Sequence, residues 1–318
     1  MKNIYVIIAA LLVLFMLFLP LIALGAEKRE DKTETTPLTE NSAGEKTITV
    51  LKSKTQETVK IAVTDYIFGV VAAEMPAEYS EEALKAQAVA AYTYAIYRKN
   101  SNFDKTYDIT DSPDSDQHYI SYEEACEKWG EKAAHYTEKI KNAVESVEGE
   151  YIVYNGQPIL ALYHAISGGK TENCTDVFSG EYPYLLSCDS IGDLLDDNYL
   201  STCVLSTQQF SEILKDKVTL SSDAKNWVGE INHRENGYVK SVNICGKEFS
   251  GIEIRKIFSL RSANFDITFD GSFNFTVRGY GHGVGMSQSG AEYMAKQGGT
   301  YKEILMWYYK NCEIAKEN

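Results

Sequence analysis

The chain is short of positive charge. Lys and Arg number 31 against 45 Asp and Glu, a formal net charge of −14 over 318 residues. Binding to a phosphate backbone needs a basic surface, so no nucleic-acid partner is expected. Metal-binding spacings are also missing. The five His (118, 135, 164, 233 and 282) and six Cys (126, 174, 188, 203, 245 and 312) form no C-x-x-C and no H-E-x-x-H. The expectation is therefore no metal and no cofactor. Tryptophan occurs only 3 times, but Tyr reaches 22 against 12 Phe. That excess suggests surfaces that are apolar on the ring and polar at the tip. No internal repeat is visible. Hydrophobic residues make up 44%, ample for a core and unlike a disordered chain.

One segment is extreme. Asn3 to Ala26 carries no charge, and Ile4 to Leu24 is apolar apart from Tyr5 and Pro20. Such a run can cross a hydrocarbon layer of about 30 Å as a helix. Residues 1–26 are expected to be an uncleaved transmembrane anchor. The alternative is a signal peptide cut near Ala23-Leu24-Gly25-Ala26. Either reading exports the rest of the chain. Residues 27–46 are charged, Thr-rich and without a hydrophobic period, which predicts a solvated spacer. Residues 1–46 hold 5 basic and 6 acidic side chains, so nearly all the negative charge belongs to residues 47–318, expected to form one extracytoplasmic domain.

Within that region the pattern predicts an α+β fold, mainly antiparallel strands with a helical insert ahead of them. Thr47 to Ile61 alternates around Lys52-Ser53-Lys54, a strand pair. Thr64 to Ala73 is an apolar helix that ends near Pro76. Ser80 should cap a long helix running to about Tyr97, with Leu84, Ala88, Ala91 and Ala95 on one face. Residues 100–120 read as loop and 122–148 as one or two helices. Turns are expected at Asn155-Gly156 and, most strongly, at Asp270-Gly271 between alternating runs. Helices near 288–297 and 301–309 close the chain. Six Cys in an exported domain allow several pairings, of which Cys188 with Cys203 is preferred.

Three segments could carry chemistry. In GVVAAEMP, at 69–76, Glu74 stands alone in an apolar run. Desolvation raises a carboxyl pKa, which a general acid at neutral pH needs. On the next helix Lys85 and Gln87 point about 160° apart, so they should not line one pocket together. Around Tyr163, the loop Ser167-Gly168-Gly169 offers a hydroxyl and backbone amides, but it is not a G-x-S-x-G elbow. The third is RGYGHGVGMSQSGA at 278–291, whose five glycines between 279 and 290 let backbone approach a ligand. It lacks the Gly-Lys-Ser/Thr ending of a phosphate loop. His282 within it could orient or polarise a substrate group.

Together with EALKAQAVAAYTYA at 82–95, SGGKTE at 167–172 and PYLLS at 183–187, these segments resemble the stage II sporulation protein D family over residues 47–315. The resemblance implies a membrane-anchored lytic transglycosylase of endospore formers that cleaves peptidoglycan glycan strands during engulfment, between the mother-cell and forespore membranes. It implies Glu74 as the single catalytic acid. It implies that Lys85, Gln87, Tyr163, Ser167, Gly168, Gly169, His282, Ser287 and Gln288 contact substrate. Stage II sporulation proteins P and M are the implied partners. A different class remains open, a non-catalytic peptidoglycan-binding protein that stimulates a partner amidase. Tyr92, where Arg is more usual, and Ala165-Ile166, where Ser-Thr is, depart from the family pattern and bear on substrate contacts rather than on the acid.

Overall fold

A computed structural model describes residues 46–317. The expected anchor and nearly all of the spacer lie outside the described residues. Among the described residues no helix is long and apolar enough to cross a membrane.

The chain opens with β1 (Thr47–Leu51) and β2 (Thr58–Ala62), antiparallel with Thr47 opposite Ala62. Helix α1 (Val63–Glu74) follows without a break. Helix α2 (Glu81–Ser101) is the spine. Its Ala83, Ala86, Ala90 and Ala91 are fully buried, small enough to let several elements close on it. It runs four residues beyond the expected Tyr97. Ser80 occupies the N-cap position, but its side chain makes no cap bond. Its backbone N–H donates instead to Glu292 Oε2 at 2.6 Å. The expected loop holds one short strand, β3 (Ile109–Thr110), parallel to β1. Then come α3 (Tyr122–Trp129) and α4 (Ala133–Ser146). Strands β4 (Glu150–Tyr154) and β5 (Gln157–Pro158) form the expected hairpin, with Asn155 and Gly156 at φ 50° and 73°. Strand β6 (Tyr163–His164) and the single helical turn α5 (Cys174–Val177) lead into an irregular stretch.

A β-rich section follows: β7 (Leu200–Ser206), α6 (Thr207–Leu214), β8 (Val228–His233), β9 (Val239–Ile244), β10 (Lys247–Ser250), α7 (Gly251–Ile257), β11 (Asn264–Phe269) and β12 (Ser272–Arg278). It forms two three-stranded antiparallel sheets, ordered β10-β9-β8 and β11-β12-β7. The strong hairpin pairs Asn264 with Arg278 around Gly271 at φ 105°. The chain then returns through β13 (Met286–Ser287), parallel to β6, α8 (Gln288–Lys296) and α9 (Tyr301–Tyr308). Strand β14 (Glu313–Lys316) pairs with β4.

The class is α+β with several small antiparallel sheets. The β-rich section 200–278 is bracketed by helices, with the expected insert ahead of it and the two expected closing helices behind it. The apolar interior divides in the same way. One cluster draws on residues 48–188 and 284–312 around α2. The other lies within 210–277, where Phe210 stacks on Phe273 at 3.9 Å between ring centres and Trp227 lies parallel to Phe273. The expected Cys188–Cys203 disulfide is not formed. Cys188 belongs to the first cluster, Cys203 packs against the second, and all six thiols are free.

Candidate active site

Glu74 is the last residue of α1. Met75 turns extended at φ −112°, and Lys139 Nζ clamps the following turn by donating to the carbonyls of Ala77, Glu78 and Tyr79. The carboxylate therefore projects from a fixed helix end into a cleft of about 640 Å³. Its Oε1 accepts the His118 N–H at 2.8 Å, and the Gln288 amide lies against the same group. Burial raises its pKa. The His118 and Gln288 contacts and the charge of Lys128 lower it in part. Lys128, on α3, donates to the Ala72 carbonyl at 2.8 Å, two residues before Glu74 on α1.

The segment that delivers His118 is held by buried polar groups. Asp116 pairs with Arg98 Nε at 2.5 Å and accepts the Thr110 N–H at 2.9 Å and the Tyr94 hydroxyl at 3.2 Å. Gln117 donates to Tyr66 Oη at 3.0 Å and the Ala91 carbonyl at 3.2 Å, and accepts from Tyr163 Oη at 2.9 Å. Both of its polar atoms are thereby used, as burial requires.

Of the residues singled out in the sequence, Glu74, Tyr163, His282 and Gln288 line this cleft. Gln87 is fully buried behind it, and its Oε1 accepts from Gln288 Nε2 at 3.3 Å. Lys85 points elsewhere and pairs with Glu81 at 2.7 Å and Glu82 at 3.0 Å. The divergence expected of Lys85 and Gln87 is what the helix produces. Ser167 and Ser287 are fully buried around Asp193. The Ser167 N–H donates to Oδ2 at 2.8 Å, its hydroxyl donates to the same atom, and the Ser287 hydroxyl reaches Oδ1 at 2.7 Å. Gly168 donates its N–H to Tyr238 Oη at 3.1 Å and packs on Asn264, while Gly169 packs on Leu194. These two serines and two glycines hold loops together outside the cleft.

The sequence reading missed His118, whose contribution is a backbone N–H and leaves no compositional trace. It also missed Gln117, Asp116 and Lys128. His164 was counted among the five histidines and given no role. Its Nδ1 meets the Val284 carbonyl at 3.1 Å, its Nε2 has no partner, and burial drops its pKa to about 3. The His282 ring centre lies 5.6 Å away, and burial takes its pKa to about 4. Both imidazoles are neutral at physiological pH. Among the described residues no group of three or more His, Cys, Asp or Glu is placed to hold a metal ion.

Burial holds this carboxylic acid toward its protonated form, and a backbone donor fixes it inside a polar cleft, an arrangement suited to giving a proton to a bound substrate. The sequence comparisons accord with the motifs around it. A profile of the SpoIID stage II sporulation protein family matches residues 51–154. The chain is 35% identical over 303 residues to stage II sporulation protein D of Bacillus subtilis (strain 168), covering 92% of this chain and 87% of that protein. It is 34% identical over 274 residues to stage II sporulation protein D of Bacillus amyloliquefaciens, covering 85% and 78%. It is 30% identical over 301 residues to the amidase enhancer of Bacillus subtilis (strain 168), covering 77% of this chain and 40% of that protein. Identity at this level over most of the chain, with a family profile matching residues 51–154, places the protein in the stage II sporulation protein D family.

Proposed function

We propose that this protein is a membrane-anchored lytic transglycosylase that cleaves peptidoglycan glycan strands during engulfment in endospore formation. Its catalytic part would lie outside the cytoplasm, held by residues 1–26. The observation that carries the reading is Glu74 itself, with a pKa raised by burial and an orientation set by the His118 N–H in an open cleft.

In this reading Glu74 donates its proton to the oxygen joining N-acetylmuramic acid to N-acetylglucosamine, and the bond from that oxygen to the muramyl anomeric carbon breaks. The Glu74 carboxylate then takes the proton of the muramyl 6-hydroxyl as its oxygen bonds to the anomeric carbon. The acid is restored, no water is consumed, and the product carries a 1,6-anhydro end. A hydrolase would need a second carboxylate as base or nucleophile. The cleft offers two further ones, Asp114 and Asp116. Asp116 is fully buried and committed to Arg98, Thr110 and Tyr94, which leaves only the exposed Asp114 and favours the single-acid route.

The test is mass spectrometry of denuded glycan strands digested with the full chain. The Glu74→Gln variant should lose release of 1,6-anhydro ends by at least about 100-fold, while Asp114→Asn should keep it. Anhydro release by Glu74→Gln at near wild-type rate would overturn the assignment. Reducing ends without anhydro sugar, lost in Asp114→Asn, would indicate hydrolysis instead.

The similarity to the amidase enhancer supports a second reading, a non-catalytic wall-binding protein that stimulates an amidase. It predicts glycan binding without new ends and amidase stimulation that survives Glu74→Gln. Stage II sporulation proteins P and M are the proposed partners in either case.

A further inference from the structure

The cleft has a wall that the acid does not use. Phe178 and Tyr280 line it at 40% and 47% exposure, although burial of a large apolar side chain stabilises a fold by about 1.5–3 kcal/mol. Neither ring is loosely placed. Phe178 and His282 form a T-shaped pair, 5.3 Å between ring centres and 72° between planes. Tyr280 is pinned by a backbone bridge to Ile166, with N–H to carbonyl distances of 2.7 and 3.0 Å in the two directions. The Arg261 guanidinium covers one face of the Tyr280 ring at 4.9 Å. The same wall carries an incomplete polar group. Because His164 Nδ1 donates to a carbonyl, Nε2 is a lone-pair acceptor, and it is buried without a partner. An unmet buried acceptor costs about 1–3 kcal/mol.

Fixed, solvent-facing rings beside an unmet acceptor suit a ligand with apolar C–H faces and O–H or N–H donors. A fully deprotonated anion has no donor to give, and an apolar peptide side chain would leave the acceptor unmet. We propose that Phe178 and Tyr280 are the stacking wall of a pyranose-binding subsite in the Glu74 cleft, beside a neutral His164 that accepts from a sugar hydroxyl or acetamido N–H. The choice of glycan rests on the cleavage reading above, but the proposal concerns binding and not proton transfer.

The test measures binding of denuded glycan strands by calorimetry, using the full chain in detergent with Glu74→Gln as the parent so that turnover cannot deplete the probe. Phe178→Ala and Tyr280→Ala should each weaken binding by about tenfold. Tyr280→Phe, which keeps the ring, should stay within twofold. Both rings are partly buried, so the alanine variants should lose some thermal stability, and binding is compared per folded molecule well below their midpoints. Alanine variants that bind within twofold of the parent would overturn the proposal. The cleavage reading fails by a separate observation, continued release of anhydro ends by Glu74→Gln, whatever the binding data give.

Discussion

Glu74 shows how much a single residue inherits from its position. It ends a helix, where the negative end of the dipole disfavours a carboxylate, and burial acts in the same direction. Against these stand the His118 N–H, the Gln288 amide and the Lys128 ammonium. Tyr163 also lies near the acid but carries no compensating positive charge. Lys128 is the cation among these groups, its influence on the acid is smaller than that of burial, His118 and Gln288, and its own pKa is lowered by burial. Replacing it with Met removes a positive charge, so the pKa of Glu74 must rise further. A general acid works while protonated, and activity falls as pH rises through its pKa. The expected outcome for Lys128→Met is a basic limb of the rate profile displaced to higher pH with the acidic plateau preserved. The pH dependence of anhydro-end release measures this, and a limb that stays in place would show that Lys128 acts only through its bond to the Ala72 carbonyl.

Between elements, one glycine decides whether His118 can reach the acid. A β-carbon on Gly69 of α1 would lie 2.3 Å from the Ile120 carbonyl oxygen and 2.5 Å from the Tyr119 ring. Alanine in a helix interior is favoured over glycine by about 1 kcal/mol, whereas overpacking costs about 1–3 kcal/mol. Here the obstruction is backbone, which cannot swing aside. Gly69→Ala should lower the thermal midpoint by several degrees and reduce cleavage beyond the loss of folded protein, because residues 117–120 move away from Glu74. Unfolding curves beside rates per folded molecule separate the two effects. This packing was not legible in the sequence. What could be read was local: the alternation either side of Asp270-Gly271, the apolar run ending at Glu74, the alanine face of α2. Ser167 read as offering its hydroxyl beside two glycines, yet it and Ser287 turn inward to Asp193, which arrives from a stretch with no motif. The segment 111–118 read as polar loop, and its return to the end of α1 depends on the buried Asp116–Arg98 pair. Long-range polar partners leave no period in a sequence, so the acid was findable and most of what holds it was not.

At the scale of the molecule, two apolar cores must be kept in fixed relation, and a buried ion pair spans them. Glu172, 1% exposed, belongs to the loop between β6 and α5, while Arg234 follows β8 in the β-rich section. Arg234 reaches Glu172 at 3.3 Å and Asp176 at 3.4 Å, and Asn236 donates to Glu172 at 3.0 Å. The loop also hydrogen-bonds the glycine-rich segment that carries His282, through Glu172 N–H to the Gly283 carbonyl at 2.7 Å. Burial raises the Glu172 pKa, and Asn236 and Arg234 oppose it. Removing Arg234 would strand a buried charge, a loss of about 3–5 kcal/mol at neutral pH. The sign of the pH dependence follows from linkage. Arg234 stabilises the ionised form only, so its contribution is full at pH values above the raised Glu172 pKa and fades as pH falls through it. Arg234→Ala should therefore be strongly destabilised at pH 7 and much less so near pH 4, and Glu172→Gln in the same chain should recover part of the neutral-pH loss. Urea titrations of wild type, the single variant and the double variant at both pH values measure this. An equal loss at both would mean that Arg234 supports the junction through its bonds to the Val239 and Asp176 carbonyls and the packing of its stem rather than through Glu172.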